Sequence, residues 1–354
     1  MQKIEKLLEN IKPIDKNSFK ETQSRLDNLT KPKNSLGRLE ELARVVVAIT
    51  GKKNPDLSKK VIFTMAGDHG VCEEGVSLFP QEVTPQMVYN FIRGGAGINV
   101  LAKHVGAKVI VVDMGVAADL EPVPELVIKK IGYGTKNITK HPAMSYRQTI
   151  NSIMAGVEVF ESELTNSGID IVGTGDMGIG NTTPSSAIVA AITKQPVKNV
   201  TGKGTGIDDE MLKRKIETIK KAIEFNNPNP KNGLDVLSKL GGFEIGGLVG
   251  VLLAAAGNRI PIVIDGFISG AAALIAYTLK PEIKDYMIAG HTSVEKGHQV
   301  ILEFIGLKPL LNLELRLGEG TGAALAMSLV EAGVKILTQM ATFEQAQVSR
   351  ESSH

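Results

Sequence analysis

The sequence predicts an α/β fold: a mainly parallel sheet covered by helices, with a small helical subdomain built from the N- and C-terminal segments. Three observations lead there. From about position 59, short runs rich in Val and Ile alternate with helical patterns of ten or more residues, as in strand–helix–strand crossover units. Each of these short runs ends in glycine or a polar residue, so their carboxyl ends share one chemistry. Helical periodicity without strands comes before the alternation, and a long apolar helical pattern follows it.

Taken in order, residues 1–58 form an N-terminal helical segment. Ile4, Leu7, Leu8 and Ile11 recur at helical spacing, and Leu36, Leu39, Leu42, Ala43 and Val46 do so again before a linker at 52–55. A strand at 61–66 runs into Gly67-Asp68-His69-Gly70 and a polar loop to Pro80. Thr84 suits a helix N-cap and Pro85 the first helical position, which predicts a helix ending at Gly94-Gly95. A helix at 98–105 leads to a strand at 108–113. An amphipathic helix at 145–164 precedes a strand at 169–172, and helices at 184–193, 208–225 and 243–256 precede a strand at 260–264. A helix at 269–279, a strand at 285–289 and helices at 294–305 and 323–339 complete the set. Residues 59–320 are thus the α/β catalytic body. The C-terminal helix, 323–344, is expected to pack on the N-terminal segment, and 345–354 is a polar tail.

With 354 residues the chain can bury a large core. A net charge of +2 and the absence of Trp argue against a nucleic-acid surface. Cys72 is the only cysteine, which excludes an intrachain disulfide and fits a reducing compartment. The charged start carries no signal-peptide run. The apolar region 243–279 is interrupted by Gly257-Asn258-Arg259, Pro261 and Asp265, which argues against a membrane span there. A cytoplasmic protein without nucleic-acid or membrane partners is the expectation.

The polar residues gather where a parallel sheet binds ligands, beyond the strand carboxyl ends. The loop 173–184 contains Gly173, Gly175, Asp176, Gly178, Gly180, Asn181 and Thr182, and feeds a helix whose free N–H groups suit an anion. Gly202-Lys203-Gly204-Thr205-Gly206 offers a second anion nest. Lys213, Arg214 and Lys215 follow, as phosphate partners or as a solvated helix face. Gly173, Gly175 and Gly178 match a dinucleotide loop, but the acid it needs about 20 residues on is missing, which argues against a dehydrogenase. The histidines have no metal-ligand spacing, and Asp68, Glu73 and Glu74 read as a solvated acidic loop. Cys72 lacks an activating partner. Leu317-Gly318-Glu319-Gly320-Thr321-Gly322 places a carboxylate among glycines at a helix start. Asp176, Asp265 and Glu319, beside a phosphate cradle, suit substitution at a sugar carbon without a metal or other cofactor.

Several longer stretches then carry a resemblance. Thr30-Lys31-Pro32-Lys33-Asn34-Ser35-Leu36-Gly37-Arg38-Leu39-Glu40, Ala66-Gly67-Asp68-His69-Gly70-Val71, Gly178-Ile179-Gly180-Asn181-Thr182-Thr183-Pro184, the stretch from Asp235 to Glu244, Asp265-Gly266-Phe267 and the Leu317 motif occur in order. Together they resemble the nicotinate-nucleotide–dimethylbenzimidazole phosphoribosyltransferases from about Thr30 to Gln339. The resemblance implies transfer of phosphoribose from nicotinate mononucleotide to 5,6-dimethylbenzimidazole, giving nicotinate and α-ribazole 5′-phosphate for the lower ligand of cobamides. It implies Glu319 as general base, with Asp176 standing where many relatives carry Glu. The benzimidazole would lie beside the segment from Phe79 to Gln86. The nucleotide would lie against Gly175, Gly178, Gly180, Asn181, Thr182, Gly202, Gly204, Lys215 and Ser293, and Asp265 and Leu317 would be further substrate contacts. A homodimer with a Rossmann-like large domain is implied as well. Adenine or a phenol is the alternative acceptor, and a non-catalytic sensor of nicotinate nucleotides the alternative of another class.

Overall fold

A computed structural model describes residues 2–204 and 206–349 of the protein, so Thr205 and residues 350–354 of the tail lie outside the described residues. Its centre is one sheet of six parallel strands: β1 (Lys60–Gly67), β2 (Ala107–Gly115), β3 (Leu126–Ile128), β4 (Ile171–Met177), β5 (Ile262–Ile264) and β6 (Met287–Ala289). Their order is β3-β2-β1-β4-β5-β6, a Rossmann-like doubly wound arrangement that changes direction between β1 and β4. At that switch Thr64 pairs with Gly175 and Met65 with Asp176. The predicted parallel sheet is therefore observed, and Asp176 stands at its switch point, where open α/β sheets bind ligands.

On one face the helices Tyr146–Asn166 and Phe243–Gly257 pack backbone to backbone. They can do so because a Cβ on Gly156 would overlap the Gly247 carbonyl. On the other face Thr321–Gln339 lies against Arg38–Thr50 and Gly97–Val105. This helix is long and apolar enough to cross a membrane, yet 56% of its most apolar stretch is buried inside the protein, where it serves as a core helix.

Several local expectations change. β3 and the helices Val197–Val200 and Gly233–Leu240 are too short, at three, four and eight residues, to stand out from the sequence. The strand expected at 285–289 is shortened to β6, because Pro281–Tyr286 winds into a 3₁₀ helix. Thr84 does not cap its helix, which runs Val83–Ile92 after Glu82. Its hydroxyl instead donates to Asp68 Oδ1 at 2.7 Å and accepts the Ile179 N–H at 3.1 Å. Two distant loops are thereby tied at the sheet's carboxyl edge.

The terminal helices divide. Ile4 and Ile11 join the main core beside Phe243–Gly257. Ser18–Asp27, Arg38–Thr50 and Thr321–Gln339 share a smaller core of Leu26, Leu29, Ala43, Val47 and Leu337, and Arg25 Nε donates to the Leu337 carbonyl at 2.8 Å. Within the Thr30–Glu40 motif, Lys31 Nζ meets Glu40 Oε1 at 2.7 Å, with side chains 5% and 3% exposed. Glu40 also accepts the Leu36 N–H at 3.1 Å, so the pair fixes the turn that opens the helix. Removing one partner of such a pair strands a buried charge. Lys31→Met is expected to lower stability by about 3 kcal/mol, measured by denaturant unfolding at neutral pH.

Candidate functional site

The Glu319 turn is built from three consecutive left-handed residues, with φ of 78° at Gly318, 65° at Glu319 and 102° at Gly320. A glutamate in that region carries roughly 1 kcal/mol of backbone strain, so its surroundings must hold it. Thr64 of β1 donates its hydroxyl to the Glu319 carbonyl at 3.0 Å. Gly175 of β4 lies under the same carbonyl, where any Cβ would overlap it. Asp265, just after β5, accepts the N–H groups of Gly320 at 3.3 Å, Gly322 at 2.7 Å and Ala323 at 3.0 Å. The Glu319 side chain is buried, and its Oε2 accepts the Ile98 N–H at 3.0 Å from the first turn of Gly97–Val105. Burial pushes its pKa above the ordinary glutamate value; the Ile98 bond opposes this and the Asp265 charge adds to it.

Asp176 sits directly across the turn, since a Cβ on Gly318 would lie 3.4 Å from both its carboxylate oxygens. Its Oδ2 accepts from Asn181 Nδ2 at 2.9 Å, while the buried Oδ1 has no partner among the described residues. Burial raises its pKa well above the usual aspartate value, reinforced by the charges of Asp265, Glu244 and Glu319.

From Asn181 the site continues into the anion loops. Thr182 opens the helix Thr182–Thr193, and its hydroxyl accepts from Lys215 Nζ at 2.6 Å. Lys215 is 1% exposed whereas Lys213 and Arg214 face solvent, so one of the three cations turns inward. Burial lowers its pKa to about 8, with Glu295 acting in the opposite direction. Gly204 faces the same pair: a Cβ there would lie 3.2 Å from Thr182 Oγ1 and 3.5 Å from Lys215 Nζ. The Gly204 N–H donates to Glu295 Oε1 at 2.8 Å, and Gly202 packs on that carboxylate. Ser293 Oγ accepts the Glu295 N–H at 3.3 Å, and the Ser293 N–H donates to His298 Nδ1 at 2.9 Å. Gly175, Asp176, Asn181, Thr182, Gly202, Gly204, Lys215, Ser293 and Glu319 thus form a connected wall.

Other predicted residues are placed differently. Both oxygens of Asp265 are turned to the helix N–H groups, so the carboxylate expected to meet substrate holds the backbone instead. Gly178 and Gly180 serve close packing, Gly178 on the Gly67 carbonyl and Gly180 on Cys72 Sγ. Gly173 and Gly175 are strand residues, so the apparent dinucleotide pattern is a packing feature of β4. Leu317 is 59% exposed and Phe79 49%, two apolar side chains open to solvent. The Leu317 side chain crosses Gly97, where a Cβ would come within 2.8 Å of its Cδ2. Gln86 is exposed on Val83–Ile92. That helix is tied to the site through Thr84, and the loop before it through Gln81, which donates to the His69 carbonyl at 3.0 Å.

The acidic loop diverges: Asp68 faces Thr84 and the Ala117 N–H, whereas Glu73 and Glu74 bind Asn137. Cys72 donates to the Ile179 carbonyl at 3.2 Å, and burial pushes its thiol up to about 12, which makes it a poor nucleophile. Sequence reasoning missed Thr64, Glu244 and Glu295. His69 Nε2 lies 2.9 Å from Glu244 Oε1, with both side chains buried. Burial works against a charged ring there, but Glu244 and Asp68 carry the His69 pKa upward. A lone acid at the start of the otherwise apolar Phe243–Gly257 was the available signal.

A phosphoribosyltransferase family profile matches residues 11–348. The nicotinate-nucleotide–dimethylbenzimidazole phosphoribosyltransferase of Geobacter sulfurreducens is 56% identical over 342 residues, covering 97% of each chain. The chain belongs to this family. The enzyme of the same name from Chloroflexus aggregans is 57% identical over 349 residues, 99% of each chain. A crystal structure of CobT from Thermus thermophilus superposes with a TM-score of 0.91 at 42% identity, covering 95% of this chain and 100% of that one. The family resemblance carried by the motifs is therefore confirmed over the whole length.

Proposed function

We propose that the protein transfers phosphoribose from nicotinate mononucleotide to 5,6-dimethylbenzimidazole, releasing nicotinate and forming α-ribazole 5′-phosphate, the nucleotide of the cobalamin lower ligand. The observation that carries this reading is the buried Glu319 carboxylate, held in a left-handed turn opposite Asp176 and joined through Asn181 to the Lys215 pocket. One benzimidazole nitrogen attacks the anomeric carbon as the other gives its proton to Glu319. The bond to the nicotinate nitrogen breaks, and its electron pair neutralises the pyridinium. Attack opposite the leaving group converts the β-nucleotide to an α-riboside. The leaving group is already cationic, so its departure requires no acid. Phe79 and Leu317 offer apolar surface to the base, with Gln86 on the neighbouring helix. Asp176 faces the ribose and Lys215, Thr182 and the 202–204 backbone face the phosphate. Residues 59–320 are the catalytic unit, and the active form is a cytoplasmic homodimer.

The direct test is incubation of purified protein with nicotinate mononucleotide and 5,6-dimethylbenzimidazole, followed by chromatography. Equimolar nicotinate and α-ribazole 5′-phosphate are expected; binding of the nucleotide without either product would favour the sensor reading. Lys215→Met is expected to raise the donor KM by roughly 10- to 100-fold with a smaller effect on kcat, the loss of one charge-assisted phosphate contact. Because the Lys215 pKa is lowered to about 8, the free enzyme loses this cation as pH rises past that value. Donor kcat/KM should accordingly fall on the alkaline side in the wild type, and that fall should be absent in Lys215→Met.

A further inference from the structure

We infer that Asp265 is the positioning residue of this site: its buried carboxylate grips the Gly320–Ala323 backbone and so holds Glu319 where it meets the acceptor. The inference rests on the reading of Glu319 as the base, and assigns Asp265 no substrate contact.

The need for such a grip follows from the turn. Gly318, Glu319 and Gly320 are all left-handed, and a side chain there is disfavoured, so the turn has to be held from outside. Two of its ties are weak or passive, a single neutral hydroxyl bond from Thr64 and the bare backbone of Gly175. Asp265 supplies the charged tie, three N–H groups on one carboxylate at the positive end of Thr321–Gln339. The aspartate is itself fixed. It is 1% exposed, it follows β5 directly, and its own N–H donates to Thr174 Oγ1 at 3.2 Å.

His291 Nε2 lies 3.7 Å from Asp265 Oδ1, and the His291 ring covers Gly322 so closely that a Cβ there would overlap it. His298 stands behind His291, with ring centroids 5.9 Å apart. From β4, Asp176 faces the same turn, and from Gly97–Val105 the Ile98 N–H donates to Glu319 while Gly97 packs beside the same carboxylate oxygen. The negative charge of Asp265 therefore bears on Glu319 as well as on the backbone, and makes its ionisation harder.

The test compares Asp265→Asn, Thr64→Val and Glu319→Gln in the full-length protein. Donor affinity is measured by calorimetry with nicotinate mononucleotide alone, and kcat is followed across pH with both substrates. Asp265→Asn should lower kcat by about 100-fold, the penalty for a base displaced by around 1 Å, while donor Kd stays within about threefold. The acidic limb of its residual pH profile should move to lower pH, because a neighbouring negative charge is gone. Thr64→Val removes a neutral tie to the same turn, so it should lower kcat without moving the limb.

An Asp265→Asn enzyme with unchanged saturated kcat and tenfold weaker donor binding would make Asp265 a ligand and overturn the inference. So would an unchanged acidic limb together with normal kcat. If Asp265→Asn fails to fold, Asp265→Glu decides: it keeps the charge but displaces the carboxylate from the three N–H groups, so kcat should still fall, and normal kcat there would overturn the inference. Full activity in Glu319→Gln would instead defeat the base assignment, whatever Asp265→Asn does.

Discussion

Glu319→Gln is expected to lose about 10²- to 10⁴-fold in kcat, the usual worth of a positioned general base, while binding nicotinate mononucleotide as before. The substitution is conservative in shape. An amide oxygen can still accept the Ile98 N–H, and the backbone ties to Thr64 and Asp265 do not involve the side chain. What disappears is the ability to take a proton. The sign of the pH dependence follows from the same group. Burial raises the Glu319 pKa, so the carboxylate is active only above that raised value. Wild-type kcat should therefore rise with pH through a midpoint above that of an ordinary glutamate, and Glu319→Gln should lack that limb. Rapid-quench measurement of nicotinate release at saturating substrates reads both effects.

The second large effect is expected where no functional side chain exists. In Gly175→Ala the new methyl would overlap the Glu319 carbonyl oxygen. β4 lies between β1 and β5 and cannot retreat, so the turn must move. A shift of about 1 Å should lower kcat by roughly 100-fold, and the overpacking should cost about 1–3 kcal/mol of stability. Gly173→Ala, two residues earlier on the same strand, is the contrasting case. Its methyl would meet the flexible tip of Met327 at 2.9 Å, which can rotate away, and Ile62 at 3.0 Å. It should lose stability by about 1 kcal/mol and keep kcat within about threefold of wild type. Thermal unfolding together with steady-state kinetics separates the two glycines.

This contrast also shows what was legible in the sequence. The alternation of apolar runs with helices identified a parallel sheet, and polar strand ends located its working edge, because both depend on local pattern. Glu319 stood out as a charge among glycines at a helix start. Thr64 gave no signal, since one hydroxyl in an apolar strand matters only once β1 is paired with β4 and the Glu319 turn crosses above them. Asp265 was legible as polar but not as a clamp, because its partners are backbone groups 55 to 58 residues away. Lys215 could not be told from Lys213 and Arg214 by type, because helix rotation alone turns it inward. Gly173 and Gly175 imitated a phosphate loop because close packing and ligand approach both call for a missing Cβ.

The most direct test of Glu319 as a proton acceptor uses an acceptor that has no proton to give. Rates of nicotinate release by wild type and Glu319→Gln can be compared with benzimidazole and with 1-methylbenzimidazole, each at saturation. With benzimidazole the wild type should be faster by about two to four orders of magnitude. With the N-methyl acceptor the two enzymes should come within a few-fold of each other, since no deprotonation accompanies attack. An equal advantage for the wild type with both acceptors would contradict the account, because Glu319 would then act on the ribose rather than on the azole.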